Sequence, residues 1–435
     1  MSLQHNKKLN AKKLNLYLHI FFRKYPSIIF ILKWTILSTI IGCLIGSSSA
    51  GFLKSLDWAT NYREQHPWII LFLPLGGLLI GLLYHYWGKD VEAGNNLLID
   101  TINEPGKIIP FKMAPFVYLG TMITHFLGGS AGREGTALQM AGAIADQLST
   151  PFNLSKEDRR ILIISAIAAG FGSVFGTPLS GAIFGLEVFL IGSLNYSSIF
   201  PAFTSAIIAD HVTKLWHTSH VKYHIEIIPE LSFTNIAYAM IAGIIFGLCA
   251  ASFTKAMSFT SGFFKTRITY PPLRPFLGGI LIILAVWILG TTKYIGLGIP
   301  TIISSFQEQL TYDFAIKMAL TILTLAAGFK GGEVTPLFFI GATLGSALSI
   351  FIPLPISLLA GMGFVAVFSG ATNTPLACSI MGLELFGSEC GIYVAIACTV
   401  AYLMSGHGSI YGRQKIGTPK NARFQNYSNK HINKL

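Results

Sequence analysis

Charge is what this chain has least of. Only 11% of its residues are Asp, Glu, Lys or Arg, against about 25% in ordinary soluble domains, so water is not its main solvent. Carboxylates are the scarcer sign: 19 of them face 31 Lys and Arg, a formal net charge of +12. That excess invites a nucleic-acid reading, but the cations cluster at the chain ends and in two loops, without an aromatic-interleaved platform or a groove motif. Nucleic acid is therefore not an expected partner. The five cysteines, Cys43, Cys249, Cys378, Cys390 and Cys398, show no C-x-x-C spacing, which leaves buried free thiols as their expected state. The sequence has no metal-ligand cluster, no nucleophile with a His partner and no soluble output domain. Neither a metal nor a catalytic cofactor is expected, and the chain does not read as an enzyme.

What is abundant is apolar, at 52% of the residues. Segments 27–56, 68–87, 233–253 and 275–295 reach the roughly twenty residues of a spanning helix. Others are too short: 115–126, 136–148, 161–169, 177–191, 199–208, 336–350 and 356–367, each separated from the next by Gly, Pro or Ser. Helices that end inside a bilayer leave unpaired backbone groups, tolerated only where protein or a polar cavity satisfies them. An all-α polytopic membrane protein with broken and re-entrant helices is expected. The N-terminal apolar run is too long for a signal-peptide core and reads as a first span. Before it, an amphipathic basic segment around 14–22 is expected at the membrane surface. Lys and Arg crowd residues 7–24 and 413–434, which by the positive-inside rule puts both termini in the cytoplasm.

The chain also repeats itself. Gly132-Arg133-Glu134-Gly135-Thr136 returns about two hundred residues later as Gly331-Gly332-Glu333-Val334-Thr335. Thr177-Pro178-Leu179 through Glu187 returns as Thr374-Pro375-Leu376 through Glu384, with seven of eleven positions identical. Duplicated halves of a membrane protein commonly meet at the bilayer midplane, where their broken helices form the transport site. The expected organisation is a basic segment 1–26, one membrane domain 27–412 made of repeats 27–218 and 228–412, and a short basic tail 413–435.

Each Gly-x-Glu box opens a helix. Glycine turns aim successive N–H groups one way and the helix N-terminus adds its positive dipole end, so two such tips make an anion site without a full positive charge. Glu134 is the odd element. Ionised, it can occupy the anion position as a tethered surrogate; protonated, it can leave and admit a free anion, which links proton to anion movement. His125 and Tyr118 read as a packed helix face. Glu187 and Glu384 read as helix-end groups satisfied by backbone or Arg.

Gly132-Arg133-Glu134-Gly135, the box from Gly331 to Pro336, the Thr177 to Gly181 box and Tyr411 together resemble the CLC family of anion channels and anion/proton exchangers, from about residue 30 to Tyr411. The resemblance implies two inverted-topology repeats, a homodimer with one pore per subunit, and no cofactor. Three departures from chloride-handling members are informative: Thr136 stands where they have Pro, Gly94-Asn95-Asn96 replaces their serine loop, and Glu333-Val334-Thr335 lacks their Ile-Phe. These resemble the fluoride-specific branch, bacterial fluoride/proton antiporters of the inner membrane. By motif position Glu134 resembles the gating glutamate, Tyr411 the inner-gate tyrosine, and Asn96 the replacement for the chloride-site serine. Val334 and Thr335 resemble the backbone and hydroxyl donors.

Fluoride is small and strongly hydrated, so its site needs close donors. Asn95 or Asn96, the hydroxyls of Thr136 and Thr335, the Val334 N–H and the Tyr411 hydroxyl can supply them, with Gly132, Arg133 and Gly135 lining the same turn. Glu333 is a second carboxylate available for proton coupling. Val188 stands at the position of the family's internal proton-transfer glutamate, which questions a separate internal route. The expected function is export of fluoride against incoming protons; the alternative is chloride/proton exchange or a passive chloride channel on the same scaffold.

Overall fold

The structure, a computed structural model, describes residues 26–432, so the segment expected at the membrane surface lies outside the described residues. The first half runs through α1 (Pro26–Gln65), α2 (Leu73–Trp87), α3 (Asn95–Asn103), α4 (Met113–Phe126), α5 (Glu134–Asp146), α6 (Lys156–Phe175), α7 (Pro178–Glu187) and α8 (Ile199–Leu215). The second half runs through α9 (Phe233–Arg267), α10 (Leu273–Leu289), α11 (Ile299–Ser304), α12 (Asp313–Ala326), α13 (Val334–Leu348), α14 (Ile356–Thr372), α15 (Pro375–Phe386) and α16 (Gly391–Met404).

Among the described residues three helical stretches are long and apolar enough to cross a membrane: Pro26–Gln65, Pro67–Trp87 and Phe233–Arg267. The fourth expected span, 275–295, is corrected. Its helix is Leu273–Leu289, 17 residues, and stops at Gly290, a left-handed C-cap. The stretch 161–169 lies within a 20-residue helix, because Ser155 and Asp158 close a capping box well before the apolar run. Segment 177–191 stops as a helix at Glu187. Beyond it, Leu190–Ile191 (β1) pairs in parallel with Lys415–Ile416 (β2), a two-residue exception to the all-helical expectation.

Small residues set how closely the long helices approach. A Cβ at Gly46 of α1 would sit 2.5 Å from the Ala209 carbonyl oxygen of α8, and one at Gly247 of α9 would sit 2.7 Å from that of Ala401 in α16. Each long helix thus packs on the last helix of its own half, and the two halves repeat the arrangement. The start of α1, the start of α6, the loop after α3 and the tail share one face. Lys33 pairs with Asp158 at 2.8 Å, Lys415 with Glu104 at 3.0 Å, and Arg159 donates to the carbonyls of Gly106 and Lys107. The tail is not merely a polar strand: buried Gln414 donates to the carbonyls of Val188 and Thr372.

Glu187 and Glu384 do what was expected of helix-end carboxylates, with an added twist. Glu187, at the end of α7, accepts from the backbone N–H of Leu376 (3.2 Å) and Ala377 (2.9 Å) at the start of α15. Glu384, near the end of α15, accepts from Leu179 (2.9 Å) and Ser180 (2.7 Å) at the start of α7. Each half therefore caps a helix start of the other, where the dipole favours a negative charge. Glu187→Ala strips the buried Ala377 N–H and the part-buried Leu376 N–H of their acceptor and should cost about 2 kcal/mol of stability, read as a lower thermal unfolding midpoint. Glu157→Ala, whose carboxylate is 81% exposed in its pair with Arg160, should leave the midpoint unchanged.

Candidate anion site at the meeting of two helix starts

Two tight turns build the site. Gly128 and Gly328, at φ +92° and +108°, reverse the chain after α4 and α12 in a conformation that side-chain-bearing residues rarely adopt. The chain then re-enters as α5 and α13. Between the turns, Gly132 and Gly332 exchange backbone hydrogen bonds in both directions, at 2.6 and 2.8 Å, so the two helix starts are fastened as one antiparallel bridge. The bridge leaves no room at Gly332, where a Cβ would lie 2.7 Å from the Gly135 nitrogen. This explains why Arg133 has only a glycine as its counterpart in the second half.

Glu134 crosses that seam. Its carboxylate is 1% exposed. Oε2 accepts from the Thr335 N–H and from the Arg133 N–H, both at 3.1 Å, and Oε1 accepts from the Thr335 hydroxyl. The Arg133 guanidinium lies 3.5 Å from Oε1. A first-half carboxylate is thus cradled by second-half donors at a helix N-terminus, a setting made for an anion. Val334, fully buried, opens that helix. Glu333 is the N-cap residue of that helix, and the buried Tyr411 hydroxyl has no hydrogen-bond partner among the described residues.

The remaining expected residues divide. Asn95 turns toward the site: its amide nitrogen lies 3.0 Å from where a Cβ of Gly135 would be. Asn96 instead accepts the Arg413 N–H at 3.1 Å, tying its carbonyl to the tail. Thr136 directs its hydroxyl to Thr121 of α4, at 2.6 Å, so that oxygen is engaged in packing. Tyr118 bonds Ser55 at 2.7 Å, as befits a packed face. His125 is fully buried and sets Nε2 3.2 Å from the Gly132 carbonyl, while Arg63 donates to the His125 carbonyl at 2.7 Å. These two steady the first turn from behind.

One residue had no sequence signal. A cavity of about 30 Å³ borders Arg133, Glu134 and Thr335 and is closed by Phe175, Phe338 and His220. That is room for one or two water-sized species. His220 belongs to the linker between α8 and α9. Neither ring nitrogen makes a hydrogen bond of good geometry among the described residues, although the Val174 backbone lies close enough to interact with the ring. Burial, and then the charge of Arg133, push its pKa down to about 4, so the ring is neutral in ordinary solution. Only the folded chain shows it, because 86 residues of sequence separate His220 from Glu134.

Comparison with known proteins agrees with this architecture. A sequence model of the family described as voltage gated chloride channel matches residues 76–406. A chloride/fluoride channel protein of Pseudomonas syringae pv. tomato is 51% identical over 91% of this chain and 89% of its own length. The voltage-gated ClC-type chloride channel ClcB of Escherichia coli is 26% identical over 85% of this chain and 95% of its own. Among solved structures, a CLC-type fluoride/proton antiporter superposes with a TM-score of 0.86 at 35% identity, covering 88% of this chain and 98% of that one. A slow cyanobacterial Cl⁻/H⁺ antiporter shares the fold, with a TM-score of 0.75 at 19% identity over 86% and 94% of the two chains. With two mirrored helix starts joined by Gly132 and Gly332, and relatives matching along nearly the whole described length, this chain belongs to the CLC family of voltage-gated chloride channels and related anion transporters.

Proposed function

We propose that this multi-pass CLC transporter exports fluoride from the cytoplasm in exchange for protons. As a member of that family it is not an enzyme. The observation that carries the reading is the contact of Glu134 with the N–H and hydroxyl of Thr335. The cradle offers two donors from one residue across the seam, plus the Arg133 N–H, all already directed at a negatively charged oxygen. When Glu134 is protonated it becomes a weaker acceptor and yields the cradle to fluoride; when fluoride departs, the ionised carboxylate returns. Each exchange moves one proton one way and one anion the other. Glu333, Tyr411 and Asn95 form the inner side of the passage. Val188 leaves no carboxylate at the usual internal position, so Glu333 is the proton's second stop.

The relatives named for fluoride support this assignment. A vesicle assay tests it: fluoride-loaded liposomes should release fluoride while acidifying their lumen, and chloride-loaded ones should release little. Chloride leaving as fast as fluoride would select the exchanger or channel alternative. The assignment extends to a bacterial inner membrane with the tail face in the cytoplasm. It also extends to a homodimer joined along the apolar face that Leu179, Leu376 and Leu383 expose beside the mutually capped helices α7 and α15.

In this scheme His220 donates a ring N–H to the ion leaving past Arg133. His220→Ala should lower fluoride efflux about ten-fold, the worth of one hydrogen bond to a charged group. Because the ring stays neutral above about pH 4, the efflux of both proteins should change with pH between 5 and 8 in the same way. A variant whose pH profile shifts in that window would show that His220 titrates during transport.

A further inference from the structure

We infer that a second cavity, on the face shared by α3 and the tail, is a binding site for a phosphate-bearing anion. It measures about 540 Å³ and is bordered by the ends of α2 and α9, the start of α10 and the turn between α12 and α13. Four cations from separate elements converge on it: Lys89, Lys265, Arg274 and Lys330, with His85 beside them and Glu92 as the one carboxylate.

None of the four is neutralised by a carboxylate within ion-pair distance among the described residues. Asp90, the neighbour of Lys89, is already held by Lys112 at 2.7 Å. Arg274 uses Nε on the Ile268 carbonyl at 2.9 Å, leaving its two terminal amino groups for a ligand. Lys330 is the telling member. Cations in loops follow from the positive-inside rule alone, but Lys330 sits in a break between two buried helices, where an ionisable side chain is costly and kept for a purpose. Its stem packs against Gly120, and its ammonium rests 3.8 Å from the centroid of the Tyr84 ring. An aromatic face steadies a cation without neutralising it.

The volume admits a guest larger than fluoride, and the donor set selects its chemistry. A space this large would leave fluoride in its own hydration shell, with no close donors to replace the water. A phosphate group with its substituent fits within it, meeting a guanidinium fork and point-charge ammoniums, the donor set that phosphate oxygens favour. Basic pockets between spanning helices on the cytoplasmic side hold phosphate headgroups of anionic lipids; a soluble phosphate ester offers the same chemistry. Lys330 directly precedes Gly331 and Gly332, so an occupant sits against the turn that carries Thr335 and bears on transport without entering the fluoride path.

The test uses the full-length purified protein in neutral detergent and follows thermal unfolding and native mass spectra with three additions: cardiolipin, phosphatidylcholine, or inorganic pyrophosphate. Retention and stabilisation by cardiolipin but not phosphatidylcholine assigns a lipid headgroup; the same effects from pyrophosphate assign a soluble phosphate compound. In either case Lys330→Met and Lys265→Gln should each weaken the apparent affinity about five-fold. Lys265 is exposed at the rim, so its variant carries the test should Lys330→Met fold poorly. The inference is overturned if neither cardiolipin nor pyrophosphate binds, or if both variants bind as the parent does.

Discussion

Glu134→Gln should abolish proton-coupled fluoride export. Gln keeps the size of the side chain, and its carbonyl oxygen can still accept the Thr335 N–H, while the Thr335 hydroxyl can rotate to accept from the new amide. The site therefore keeps its shape, but Gln is fixed in the neutral form and cannot return as the charge that displaces fluoride and resets the cradle. Removing a positioned acid–base group costs about a hundred-fold or more, so fluoride efflux should fall by that factor and lumenal acidification should drop to the leak of empty vesicles. The two readouts separate the roles of the side chain. Loss of both identifies a carrier that must alternate between charged and neutral forms to turn over; fast efflux without proton movement would mean a steric plug only. Unchanged coupled flux would remove Glu134 from the mechanism.

The second large effect is expected from a single methyl group. Gly332→Ala places a Cβ 2.7 Å from the Gly135 nitrogen, so the two turns must part and the paired hydrogen bonds between Gly132 and Gly332 must lengthen. The Thr335 donors then shift relative to Glu134. Misplacement of a positioned group by about 1 Å can cost a hundred-fold in rate, and a loss of that order in fluoride efflux is the expected result. Gly51→Ala supplies the control. It lies on the exposed side of α1, where a Cβ meets nothing within 4 Å, and alanine suits a helix interior better than glycine does. That variant should transport normally and unfold at the same or a slightly higher temperature. Normal flux from Gly332→Ala would mean that the bridge is not part of the working site.

Local features carried much of this in advance. The doubled boxes, the short apolar runs and the glycine turns announced broken helices meeting across a seam, and the structure brings Glu134 into contact with Thr335 across it. What sequence could not resolve depends on contacts between distant segments. Adjacent asparagines are equivalent on paper, yet Asn95 turns to Gly135 while the tail claims Asn96 through Arg413. Thr136 is a plausible donor until α4 presents Thr121 to it. The span read as 275–295 ran past Gly290 into Thr291-Thr292-Lys293; the backbone there leaves the helix, and the Gly296 N–H bonds the Gly129 carbonyl beside the first turn. His220 and the mutual caps of Glu187 and Glu384 are likewise invisible in a linear reading, since each partner is supplied from elsewhere in the chain.

Those mutual caps bear on where the polypeptide can be divided. Since each half completes a helix start in the other, neither can be a separable folding unit. Nicking the connection at its exposed end near residue 231 and encoding the pieces on two genes should restore activity only when both fragments are inserted into the same membrane. By the same reasoning, a single copy of the unit would need a second, oppositely oriented molecule beside it to complete both helix starts.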